Sequence, residues 1–181
     1  MRILPTSIAD LMVVESDTFR DDRGAFYRCF CTEELQAVIG KRSIKQINHS
    51  RTENVSAVRG MHFQFAPFGE MKLVRCLRGR VWDVAIDLRS GSVTFLKWHA
   101  EELTGDNLRM MIIPEGFAHG FQVLEPASEL LYLHTAPYNK SAEGGVRFDD
   151  PALRIDWPLA PTELSIRDLH HVLLNDQFRG I

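Results

Sequence analysis

Apolar positions along this chain come in short runs punctuated by Gly, Pro, Asp and Asn, with no long helical stripe among them. That rhythm predicts many short β-strands and little helix. The runs Met71 to Leu77 and Val81 to Leu88 flank Arg78-Gly79-Arg80, where glycine can supply the positive φ of a tight turn, so a β-hairpin is expected there. Alternation sorts the faces: Lys72, Val74 and Cys76 share one side of the first run, and Val81, Asp83, Ala85 and Asp87 share one side of the second. An inward face that mixes polar with apolar residues suits a barrel around a wet pocket. Further strands are expected over Ser92 to Ala100, Leu108 to Ile113, Gly120 to Leu124 and Glu129 to Thr135. A helix is expected over Glu33 to Ile39, with Thr32 as its N-cap and Gly40 as its stop, and a second short one after Ser165. The fold class is all-β, a double-sheet jelly roll with a few short helices.

At 181 residues the chain fits one domain, 1–181, without repeats or linkers. A composition of 45% hydrophobic and 25% charged residues is that of a folding globule. The net charge of -3 supplies no basic surplus for nucleic acid. The opening residues lack the features of a signal peptide, and no window reaches the roughly 20 apolar residues of a membrane span, so cytoplasm is the expected location. Cys29, Cys31 and Cys76 lack the spacing of a disulfide framework or a zinc knuckle.

Three segments concentrate titratable rings among apolar neighbours: Arg59 to Gln64, Pro114 to Phe121 and Leu130 to His134. Tyr132 and His134, two apart, point to one side of a strand. A metal-binding barrel is one reading, with His62, Glu70 and His119 as ligands, although Gln64 replaces the second histidine of the usual His-x-His pair. Metal-free acid-base chemistry is the other. It would use a near-neutral base from His62 or His119, a cation for an oxyanion from Lys72, and a proton-bearing phenol from Tyr132. Asp168 would orient a histidine from the far end of the chain. A non-catalytic binding module is a third reading. Taken alone, His62 between Met61 and Phe63 also reads as a core histidine, and Lys72 as a solvated strand residue.

The sequence resembles the dTDP-4-dehydrorhamnose 3,5-epimerase family from Phe19 to Asp168. The resemblance runs through Phe19 to Gly24, Asn48 to Ser50, Arg59 to Gln64, Lys72 to Arg75, Asp83 to Asp87, the run IPEGFAHGF from Ile113 to Phe121, Asp149 to Pro151, Ile155 to Pro158 and Leu164 to Asp168. It implies a cupin-like jelly-roll homodimer whose N-terminal segments cross between subunits, acting without metal or cofactor on a nucleotide-linked 4-keto-6-deoxyhexose. By motif position it implies His62 as base paired with Asp168, Tyr132 as the proton donor on the opposite face, and Lys72 on the enolate oxygen. It also implies Arg23, Gln46, Asn48, Arg59, His119, Glu143 and Arg167 as substrate contacts. The sequence departs from the family at Arg28, in place of glutamate, at Ile47, at Leu133, and at Glu70-Met71 just ahead of Lys72, so altered substrate preference is expected.

Overall fold

The computed structural model describes residues 1–181. Thirteen strands follow in chain order: β1 (Arg2–Pro5), β2 (Met12–Glu15), β3 (Thr18–Asp21), β4 (Gly24–Tyr27), β5 (Gln46–Thr52), β6 (Val58–Gln64), β7 (Lys72–Arg78), β8 (Arg80–Asp87), β9 (Trp98–Thr104), β10 (Arg109–Ile113), β11 (Phe117–Val123), β12 (Ser128–His134) and β13 (Glu143–Gly145). Helix is confined to single turns, α1 (Gln36–Ile39), α2 (Ile166–Leu169) and a 3-10 turn at Lys140–Ala142.

Two antiparallel sheets face each other, one in the order β1-β2-β10-β7-β12-β5 and the other β13-β6-β11-β8-β9. This is the double-sheet, cupin-like jelly roll expected from the strand rhythm. Between the sheets, Val74, Cys76, Met111 and Leu130 meet Val81, Ala85, Leu103, Phe121 and Val123 in a dry core. Alternation sends the intervening residues outward, yet these too are covered. Leu73, Met110, Ile112 and Leu133 pack under Leu35 and Ile39. On the other sheet, Met61, Phe63, Val84 and Ile86 lie under Leu153, Trp157, Phe178 and Ile181. Each such aliphatic side chain withdrawn from water contributes roughly 1.5 to 3 kcal/mol, which explains why few strands alternate cleanly between apolar and polar.

The expected β7–β8 hairpin does not form. β7 pairs with β10 and β12, whereas β8 pairs with β9 and β11, so Gly79 carries the chain from one sheet to the other. Its φ is +77°, as the spacing suggested, but a Cβ there would run into the Ser128 side chain. The strand expected from Ser92 begins only at Trp98, because the Ser92 and Thr94 hydroxyls turn inward to bond the Asp87 carboxylate, each at 2.6 Å. The first helix is shorter than expected and Thr32 does not cap it. Its N-cap is Leu35, and Glu34 instead bonds the N-terminal amine and Arg28. The second helix starts as expected, with the Ser165 hydroxyl accepting from the Asp168 amide at 3.0 Å.

Candidate active site

At one end of the sandwich the sheets splay around a cavity of about 900 Å³ walled by β5, β6, β7, β11 and β12, with α2 at its rim. Strand register sets its contents. His62 stands opposite His119 across the β6–β11 pair, and His134 opposite Lys72 across the β12–β7 pair. Tyr132 lies opposite Asn48 on β5. β6 and β11 approach closely at two glycines: a Cβ on Gly60, whose φ is +125°, would sit 2.5 Å from the Gly120 Cα.

His62 Nε2 is 2.7 Å from Asp168 Oδ1, and Arg167 Nη2 is 3.1 Å from the same nitrogen. The Gly60 amide donates to the second Asp168 oxygen at 3.3 Å, which fixes the carboxylate from behind. Burial works against its charge, but the bond to His62 and the charge of that ring, with the Gly60 amide and Ser165, together outweigh burial and hold the Asp168 carboxyl at about 2. Such a pair fixes the plane of the ring and leaves its other nitrogen outside the pair.

Lys72 Nζ is buried, donating to the His62 carbonyl at 3.2 Å and lying 3.4 Å from Glu70 Oε1. Tyr132 has its hydroxyl 3.0 Å from Ser50 Oγ, and burial pushes its phenol well above the usual range, so the proton stays on at neutral pH. A second imidazole–carboxylate pair joins His119 Nε2 to Asp83 Oδ1 at 2.7 Å. Desolvation raises the Asp83 carboxyl. At the rim, Arg167 donates to both oxygens of Glu143 at 2.8 Å, and Arg59 Nε donates to Thr52 at 2.9 Å. The cavity thus brings a held imidazole, a protonated phenol and a buried lysine around one space, with guanidinium groups at its mouth.

Residues 5–176 match the family model described as dTDP-4-dehydrorhamnose 3,5-epimerase. The chain belongs to that family. The enzyme of that name from Salmonella typhimurium is 39% identical over 97% of this chain and 96% of its own length. The crystal structure of a dTDP-6-deoxy-D-glucose-3,5-epimerase from Legionella pneumophila, in complex with dTDP-4-keto-L-rhamnose, superposes with a TM-score of 0.90. It is 38% identical, covering 95% of this chain and 92% of that one. A dTDP-4-dehydrorhamnose 3-epimerase from Streptomyces niveus is 35% identical over 96% of this chain and 84% of its own. The chain is accordingly an isomerase, a nucleotide-sugar epimerase.

Of the residues that the epimerase motifs single out, His62, Lys72, Tyr132, Asp168, Asn48, Arg59, His119, Glu143 and Arg167 all line this one cavity. Gln46 stands just outside, accepting from the Tyr138 amide at 3.0 Å. Arg23 is not brought in: it sits on the separate β3–β4 hairpin, 90% exposed, paired with Asp21. The departures from the epimerase pattern divide in the same way. Ile47 lines the cavity mouth and Glu70 its wall. Met71 and Leu133 point into the outer core beneath α1, and Arg28 pairs with Glu34 on the surface, so none of these three reaches the cavity within this chain. The ligand trio His62, Glu70 and His119 does not assemble, because each already faces another partner, Asp168, His134 and Asp83. The one set of three with mutually reachable ligand atoms is His62, Asp168 and His171, within 4.8 Å of one another. Sequence reasoning missed Ser50 and the pairing of Asp83 with His119. Asp83 was placed on the correct strand face, but only the register of β8 beside β11 gives it a partner.

Proposed function

We propose that this epimerase inverts C3, C5 or both of a dTDP-linked 4-keto-6-deoxyhexose, without metal or cofactor. The ketone at C4 acidifies the hydrogens on both neighbouring carbons. His62, held by Asp168, removes one of them; the electron pair moves onto the C4 oxygen, where the Lys72 ammonium stabilises the enolate more than the ground-state ketone. Tyr132 returns a proton from the opposite face of the ring: burial keeps the phenol protonated until the more basic enolate carbon takes the proton. Arg59, Arg167, Asn48, Gln46, Glu143 and His119 hold the nucleotide, the diphosphate and the sugar, with Arg23 contributed by a partner subunit.

The observation that carries this reading is the placement of His62 Nε2 at 2.7 Å from a nearly water-free Asp168, in the same cavity as Lys72 and Tyr132. A homodimer is part of the proposal. It is supported by the β3–β4 hairpin, which belongs to neither large sheet and leaves Phe19 and Phe26 each 71% exposed. The whole activity is carried by one domain, 1–181. Three free cysteines support a reducing, cytoplasmic setting, and no helix is long and apolar enough to cross a membrane.

The test is proton NMR of the protein with dTDP-4-keto-6-deoxyglucose in deuterium oxide, with His62→Ala as control. Deuterium entering at C3 and C5 is expected for a double epimerase, and at one carbon for a mono-epimerase such as the Streptomyces niveus relative is named. No exchange with any nucleotide-linked 4-ketosugar would overturn the proposal.

A further inference from the structure

Two residues in the cavity wall have no part in the proton transfers above. Glu70 lies ahead of β7 and His134 ends β12; their side chains are 9% and 10% exposed. Glu70 Oε2 is 2.8 Å from His134 Nδ1, and its other oxygen is the one 3.4 Å from Lys72 Nζ. Beyond the imidazole, Asn48 Nδ2 stands 3.4 Å from Nε2. An amide nitrogen can only donate, so Nε2 accepts and Nδ1 carries the hydrogen that is donated to Glu70. The ring is further held by stacking on Tyr132, with centroids 6.1 Å apart. With one Glu70 oxygen held by the imidazole, the other is directed at Lys72.

A buried ammonium without a counter-charge loses its proton readily. Burial does push the Lys72 amine down, and Glu70 is foremost among the groups that pull it back up. The other titratable groups around it are Asp83 from β8, Glu143 from β13, His62 from β6 and His134 from β12. Asp83 faces His119 and Glu143 is engaged by Arg167, which leaves Glu70 as the carboxylate in contact with Lys72. Glu70 is also a position where the sequence departs from its family, so this arrangement need not be shared by relatives.

We propose that Glu70, clamped by His134, is a positioning residue that keeps Lys72 charged and aimed into the cavity. Its consequence for catalysis rests on the role given to Lys72 above. The chain has few lysines, so the Cε carbons of 13C-labelled lysine can be followed one by one through a pH titration, with Lys72 assigned from its missing signal in Lys72→Arg. In Glu70→Gln the Lys72 midpoint is expected to fall by roughly 1 to 3 pH units. The alkaline limb of kcat for deuterium exchange should move down with it, KM should change little, and Glu70→Asp should recover part of the shift.

An unchanged Lys72 midpoint in folded Glu70→Gln overturns the proposal, whether or not the enzyme turns over. A lowered midpoint in a protein whose wild type exchanges no proton would support the Glu70 pairing and reject the proposed function instead. Should Glu70→Gln not fold, wild type carries the test: the Lys72 signal should show a second, smaller step as Glu70 protonates in acid, and its absence overturns the proposal.

Discussion

Asp168 spends its charge in a place that water scarcely reaches, 3% exposed, and the His62 ring gives that charge its partner. Asp168→Asn is expected to lower the rate of deuterium exchange by roughly 10²- to 10⁴-fold with a smaller change in KM, because the neutral amide removes the negative charge that steadies His62 as it takes up a proton. The same substitution has a signature in stability. The carboxyl is held at about 2 against an ordinary 3.8, so its contribution is complete above pH 4 and disappears as the pH falls from about 4 to about 2. Thermal melts of wild type and variant should differ by about 2 kcal/mol at neutral pH and converge across that acid window. His62, Lys72 and Tyr132 were legible in the sequence as rings and a cation embedded in apolar runs. Asp168 was legible only as a possible partner for some histidine; it reaches His62 across 106 positions of chain, and only the family resemblance named that pair. The pairing of Glu70 with His134 was not legible, because the strand register that sets His134 opposite Lys72 is a property of the fold.

The strands themselves were largely readable from apolar runs; their partners were not. Val81 to Leu88 has the look of a hairpin arm after Gly79, and a turn with positive φ serves equally to fold a strand back on its neighbour or to throw it across to the facing sheet. What decides is the burial of both strand faces, which places β7 and β8 at the middle of different sheets. Gly79→Ala should therefore cost at least about 1 to 3 kcal/mol, measured by denaturant unfolding, since it adds left-handed strain to a collision with Ser128. The C-terminal segment was legible only as a short helix. In the fold it is a strap over the outer face of β6 and β8: the Ile181 amide donates to the Leu88 carbonyl at 2.8 Å, and the Leu174 amide to Asp150 at 2.6 Å. Removing residues 174–181 should lower the melting temperature and reduce exchange activity by loosening the segment that carries Asp168, while dTDP binding, measured by calorimetry, weakens less.

At the scale of the whole molecule, the largest mismatch between motif and cavity is Arg23, which lies on an exposed hairpin outside the site it is proposed to serve. A second copy would resolve it, and the arrangement is open to complementation. Arg23→Ala and His62→Ala should each be impaired alone, but mixed and allowed to exchange subunits they should recover about one quarter of wild-type activity. Random pairing makes half of the dimers mixed, and each mixed dimer holds one intact site of two. Charged substitutions at Phe19 and Phe26 together should leave a monomer in sedimentation equilibrium. The crossing at Gly79 also bears on how such a chain is made. Because neighbours in sequence are sent to opposite sheets, Gln46 must wait for His134, and His62 for His119, before either finds its place. Folding dominated by distant pairings is slow, in the range of milliseconds to seconds for small β domains. His62 is synthesised about a hundred residues before Asp168, the carboxylate it pairs with. A ribosome carrying this chain therefore holds His62 without its carboxylate until α2 emerges, so the nascent protein cannot form the His62–Asp168 pair before then.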